Sequence, residues 1–117
     1  MFKNTLQALQ RMCWKQQIQR FKTHETERPY YFVFRAMAEC GELCNLYNKE
    51  FVYGKRLGVT AREHQKLFEQ EFGDVLYFLC LAASVKSIDL TQCLKDTHAR
   101  IEGRLQKQEY GVIQRKP

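Results

Sequence analysis

Apolar residues recur along this chain mostly every three or four positions, the period of a helix with one covered face. Read that way, residues 2–21 form a first helix with a stripe of Phe2, Leu6, Leu9 and Cys13, extended by Met12, Ile18 and Phe21, with Trp14 beside it. A polar connector, 22–28, leads to Pro29, which suits the first turn of a second helix over 29–53. The start of that helix, Tyr30 to Phe34, has the propensity of a short buried strand. The spacing of Ala36, Cys40, Leu43, Tyr47 and Phe51 favours helix. A break at 54–58, bounded by Gly54 and Gly58, precedes a third helix over 61–86, capped by Thr60. Ser87 or Asp89 can cap a fourth over 90–108, whose stripe is Leu90, Leu94, Thr97, Ile101 and Leu105. The tail, 109–117, is polar and reads as loose. The expected fold is an all-α, antiparallel, four-helix bundle-like single domain over 1–117, with its core at about 29–108.

Two acidic signatures interrupt the apolar pattern: Glu39-Cys40-Gly41-Glu42 and Glu71-Phe72-Gly73-Asp74. In each, two carboxylates three residues apart share a helix face. Glu39 projects between Phe32 and Leu46, Asp74 between Leu67 and Leu81, and Glu71 between Phe78 and Ala82. These three acids therefore point toward the core, with Glu42 at its edge. The arms from each motif to the intervening break are both roughly 15 Å long, so antiparallel packing brings all four acids to one height. Buried carboxylates repel and take up protons unless a cation lies among them. A set of oxygen ligands favours Mg²⁺ or Mn²⁺ over zinc or copper.

Composition narrows the partners. The formal net charge is +6 and the pI near 9.2, which points to an anion: nucleic acid, a membrane surface or a phosphorylated small molecule. Lys49, Lys55 and Arg56 follow the first acidic pair toward the break and are candidate phosphate contacts. The five cysteines form no Cys-x-x-Cys pair and read as reduced core residues of a cytosolic protein rather than zinc ligands. The first five residues lack the apolar core of a signal peptide. The longest uncharged run, 75–85, is too short to span a bilayer, so the expected location is cytoplasmic. That run and its flanks are apolar almost all round, implying cover on more than one side and hence a homo-oligomer, dimer or larger. Trp14 has two readings, ordinary packing and stacking on a nucleobase.

The double motif, with its continuation through Ile88-Asp89-Leu90 into the last helix, resembles the MazG-like nucleotide pyrophosphohydrolases. The likeness covers about 31–104. It implies an all-α, magnesium-dependent enzyme that cleaves nucleoside triphosphates to the monophosphate and pyrophosphate, with substrate pockets near subunit contacts. By that resemblance Glu39, Glu42, Glu71 and Asp74 bind the metal, and Glu42, with Glu39 beside it, handles the attacking water. Arg100 and Arg104, with Lys49 or Lys55, hold phosphate oxygens, and Trp14 belongs to the base pocket. The chain departs from the family at Ala38, where many members carry another glutamate, and at Thr97 and Arg100, in place of asparagine and lysine.

Competing readings are a dUTPase-like or phosphoribosyl-ATP pyrophosphohydrolase enzyme of the same superfamily, a carboxylate-bridged di-iron bundle, and a non-catalytic basic helical protein that binds nucleic acid. The di-iron design needs Glu-x-x-His on two helices, and His24, His64 and His98 lie outside both motifs. The nucleic-acid reading explains the charge and leaves the inward acids unexplained, so no obligatory nucleic acid is expected.

Overall fold

The computed structural model describes residues 5–21, 30–53 and 61–107. Of these, 92% are helical, with no strand among them. The elements are α1 (Leu6–Phe21), α2 (Tyr31–Tyr53), α3 (Ala61–Val85) and α4 (Leu90–Gln106). The protein is all-α and bundle-like, as the hydrophobic period implies. Pro29, the break at 54–58, Thr60 and the tail lie outside the described residues.

α2 and α3 pack antiparallel over most of their length. Arg35 meets Phe78, Tyr47 meets Phe68 and Glu50 meets His64, so residue numbers rise along one helix as they fall along the other. α1 lies on another side of α3, and α4 packs against α1. α1, α2 and α3 meet at Phe32 and Leu81, both fully buried, with Ala82 beside them. Cys13, Trp14, Tyr31, Tyr77, Phe78 and Val85 close around this centre. Burying a phenylalanine or leucine side chain contributes about 1.5–3 kcal/mol, so this junction anchors the fold.

The covered face of α2 is Phe32, Ala36, Glu39, Leu43 and Leu46, while Cys40, Tyr47 and Phe51 are exposed. The expected stripe was thus rotated by one residue in its second half. The reason is that two adjacent helical stripes were both apolar, and α3 covers one of them. Cys44 and Cys93 are exposed as well, so three of the five cysteines are surface residues rather than core. Cys13 and Cys80 hydrogen-bond each other between α1 and α3, and burial pushes both thiols up.

α1 departs most from its expected stripe. Leu9 and Met12 are exposed, and the buried positions are Gln10 and Gln17. The physical reason is the α3–α4 turn, which presents backbone groups that need partners. Gln10 supplies them: its Nε2 donates to the Ile88 carbonyl at 2.8 Å and to Ser84 Oγ at 3.2 Å. Its Oε1 accepts from the Leu90 N–H at 3.1 Å. Gln7 donates to Asp89 Oδ2 at 3.0 Å, while Asp89 Oδ1 caps α4 by accepting from Thr91 N–H at 2.9 Å.

The turn closes α3 in a Schellman arrangement. Ile88 N–H donates to the Ala83 carbonyl and Ser87 N–H to the Ser84 carbonyl, with Ser87 at φ 55°. Glycine normally takes that left-handed position, because a Cβ is strained there. Ser87→Gly is therefore expected to stabilise the fold by about 0.5–1 kcal/mol. Gln10→Leu keeps the volume but orphans the turn's buried groups, and is expected to cost about 1–3 kcal/mol. Urea denaturation of both variants checks the opposite signs.

Candidate functional site

Between the Phe32–Leu81 junction and the Tyr47–Phe68 contact, the α2–α3 interface changes character. Tyr47 packs edge-on against Phe68 with ring centroids 4.6 Å apart, and His64 meets the same ring at 5.1 Å. Apolar packing thus holds the helices together on both sides of a short acidic stretch. Within it Glu39, Glu42 and Glu71 each offer a carboxylate oxygen, all within 4.8 Å of one another. Helix geometry explains the convergence: Glu39 lies in the covered stripe of α2, Glu42 is one turn on, and Glu71 faces them from α3.

Electrostatics show the strain of this meeting. Oε2 of Glu39 and Oε2 of Glu71 are buried without a hydrogen-bond partner. Burial pushes the Glu39 carboxyl above its ordinary value, and the charges of Glu42, Asp74 and Glu71 push it the same way. Glu71 is raised by burial first, then by Glu42 and Asp74. Arg35 lies 3.8 Å from Glu39 Oε1, longer than a hydrogen bond, and does not reverse the shift.

Asp74 corrects the sequence reading: it is exposed and outside the close group. At 100° per residue it shares a sector with Leu81, two turns on. That sector, between the faces that α1 and α2 cover, closes over Leu81 and is open at Asp74. Glu42 is exposed, as its edge position implied. Beside it runs a shallow trough on α2 lined by Ala38, Gly41, Cys44, Asn45 and Asn48. A side chain at Gly41 would meet nothing within 4 Å, so the trough floor is open.

The other expected contacts are placed as follows. Lys49 is exposed on α2, beyond the trough, and Lys55 lies outside the described residues. Arg100 and Arg104 are exposed on α4, the helix that packs against α1. Trp14 packs against the central junction and lines a cleft of about 280 Å³ with Gln7, Gln10, Arg11 and Asp89, none of them one of the clustered acids. The sequence reading passed over Arg35 and took Phe78 only as a core-facing position. The signal for Arg35 was its position four residues before Glu39.

Set against models of known families, curated proteins and solved structures, the chain matches none of them. The function must therefore be argued from the residues.

The donor set fits a hard divalent cation. Carboxylate oxygens suit such an ion, and two buried oxygens lack any other partner. Without a cation, folding costs more as these acids ionise. Glu39 and Glu71 keep protons in the folded chain that the unfolded chain releases above 4.5. The folded state then binds more protons, so stability falls as pH rises through a window that opens near that value. In EDTA, Glu71→Gln is expected to melt at a higher temperature than the parent at pH 7 and to show a shallower decline from pH 4.5 upward. Thermal melts at stepped pH check this, and identical slopes would count against the geometry.

Proposed function

We propose that this protein is a Mg²⁺-dependent nucleoside triphosphate pyrophosphohydrolase of the MazG-like kind, with Mn²⁺ as a substitute metal. The observation that carries the reading is the meeting of Glu39, Glu42 and Glu71 within 4.8 Å between apolar contacts. Such a group costs stability unless a ligand compensates it. The resemblance of the two acidic signatures to that superfamily's paired motif names the chemistry.

In this reading Glu39, Glu42 and Glu71 hold the cation, with Asp74 at the open edge. The ion, when bound, neutralises phosphate charge and acidifies a water. Glu42, the exposed member of the close group, accepts the proton of the attacking water or orients it. Water attacks between the α and β phosphates, giving a nucleoside monophosphate and pyrophosphate. The trough beside Glu42, with the amides of Asn45 and Asn48, offers room for the nucleotide. Arg100, Arg104, Lys49 and Lys55 are candidate phosphate contacts, and Trp14 a candidate base contact.

Clean-up of the nucleotide pool in the cytoplasm fits such an enzyme. No helix among the described residues is long and apolar enough to cross a membrane. Self-association belongs to the same proposal. Phe72, Leu76 and Leu79 of α3 are 46%, 55% and 42% exposed, an apolar strip of the kind that marks an interface. A dimer or tetramer would cover it, and light scattering reads the mass directly.

Glu39→Gln and Glu71→Gln are each expected to lower turnover by at least about 10²-fold, beyond what loss of an outer-shell partner costs, with helical content unchanged. EDTA should abolish activity and Mg²⁺ restore it. A screen of nucleoside triphosphates with product identification tests the bond cleaved and the base preference, including dUTP and phosphoribosyl-ATP. Turnover in EDTA, or release of orthophosphate and a diphosphate, would reject the proposal.

A further inference from the structure

A cation held by three carboxylates leaves a site that is still negative, and a triphosphate would meet repulsion there. The approach of a polyanion needs a positive group beside the acids. The contacts seen at the site point to Arg35, which the sequence resemblance did not assign.

Arg35 lies on α2 one turn before Glu39. Its guanidinium carbon is 4.9 Å from the centroid of the Phe78 ring on α3. Phe78 is packed against the buried junction of α1, α2 and α3, so the ring is a fixed seat and holds the head group by cation–π attraction. The contact to Glu39 is different in kind. At 3.8 Å the closest nitrogen and oxygen are too far apart for a hydrogen bond. The guanidinium is therefore placed by the ring and lies beside the carboxylate without spending its donors on it. Among the described residues it makes no hydrogen bond, and the side chain is 48% exposed. It presents a planar set of N–H donors, which matches two oxygens of a phosphate.

We infer that Arg35 is an anion-binding residue of this site: seated on Phe78, it hydrogen-bonds a phosphate group held at the acidic cluster. In the cation-free chain the same guanidinium stands beside Glu39 and offsets part of its charge. A divalent ion must displace that attraction when it binds. The guanidinium then stays on its ring, its donors free for the phosphate. This inference rests on the reading of Glu39, Glu42 and Glu71 as a cation site.

Two consequences of opposite sign follow for one substitution. Arg35→Met removes a cation that competes for Glu39, so Mn²⁺ alone should bind about threefold to tenfold tighter, as expected for a partly exposed charge pair. The same variant should bind methylenediphosphonate, in saturating Mg²⁺, about tenfold more weakly or worse, through loss of the charged donors. Arg35→Lys keeps the charge and loses the planar fork. It should return Mn²⁺ affinity to the parent level and recover the phosphonate affinity in part.

Calorimetric titration of the full chain and both variants, with circular dichroism as a check of folding, reads all of these. Tighter Mn²⁺ with weaker phosphonate in Arg35→Met supports the assignment. Unchanged phosphonate affinity, or equal weakening of both ligands, overturns it while leaving the cation site standing. Failure of the parent protein to take up Mn²⁺ overturns the cation site itself, and the inference with it.

Discussion

Apolar packing on both sides of an acidic stretch is the constraint on which the site depends. Carboxylates left to themselves separate and turn toward water, because each loses solvation and gains repulsion when they approach. Here Phe32, Leu81 and Ala82 hold α2 to α3 at one end, and Tyr47, Phe68 and His64 hold them at the other. A straight helix cannot bow outward locally without giving up those contacts. Glu39, Glu42 and Glu71 therefore meet because their helices are clamped, and the raised carboxyls of Glu39 and Glu71 are the electrostatic record of that clamping.

The rest of the fold serves the position of α3. α1 gives Cys13 and Trp14 to the central junction, but its buried side chains are glutamines: Gln17 accepts from the Tyr77 hydroxyl, and Gln10 satisfies the backbone of the α3–α4 turn. Such a contact is directional, where a leucine in the same place would not be. It sets where α3 ends and where α4 begins, and Asp89 joins the same network through Gln7 while capping α4. α4 buries no residue fully, and its stripe residues Leu94 and Ile101 are 62% and 41% exposed. Among the described residues, apolar surface on both α3 and α4 is left exposed.

Charge gives the site its direction. Three carboxylates meet on the α2–α3 interface, and Arg35, seated on a ring of the facing helix, stands next to one of them. A positive group beside a negative cluster is wasteful as a stabilising device, since the pair is long and its arginine half-exposed. Under the proposed function it makes chemical sense, because the ligand there would be a cation joined to an anion. The open trough next to Glu42 adds space without a steric barrier.

The sequence by itself determined the four helices, because periodicity and the scarcity of glycine and proline are local properties. It also determined that Glu39 and Glu71 face inward, since each lies in register with apolar residues one and two turns away. Other features were decided only by which helix covers which face. Two adjacent stripes on α2 share Ala36 and Leu43, and only packing on α3 covered the one with Phe32, Glu39 and Leu46, leaving Cys40 and Phe51 exposed and Tyr47 half-exposed at the edge of Phe68. Asp74 shares a sector with Leu81, yet the sector is closed at one and open at the other, which no helical wheel can show. Gln10 reads as a surface residue until the α3–α4 turn supplies its partners from nearly eighty residues away. Arg35 reads as a plain surface cation until Phe78 is brought beneath it. Each depends on a contact between helices, and a contact of that kind has no signature in the spacing along one of them.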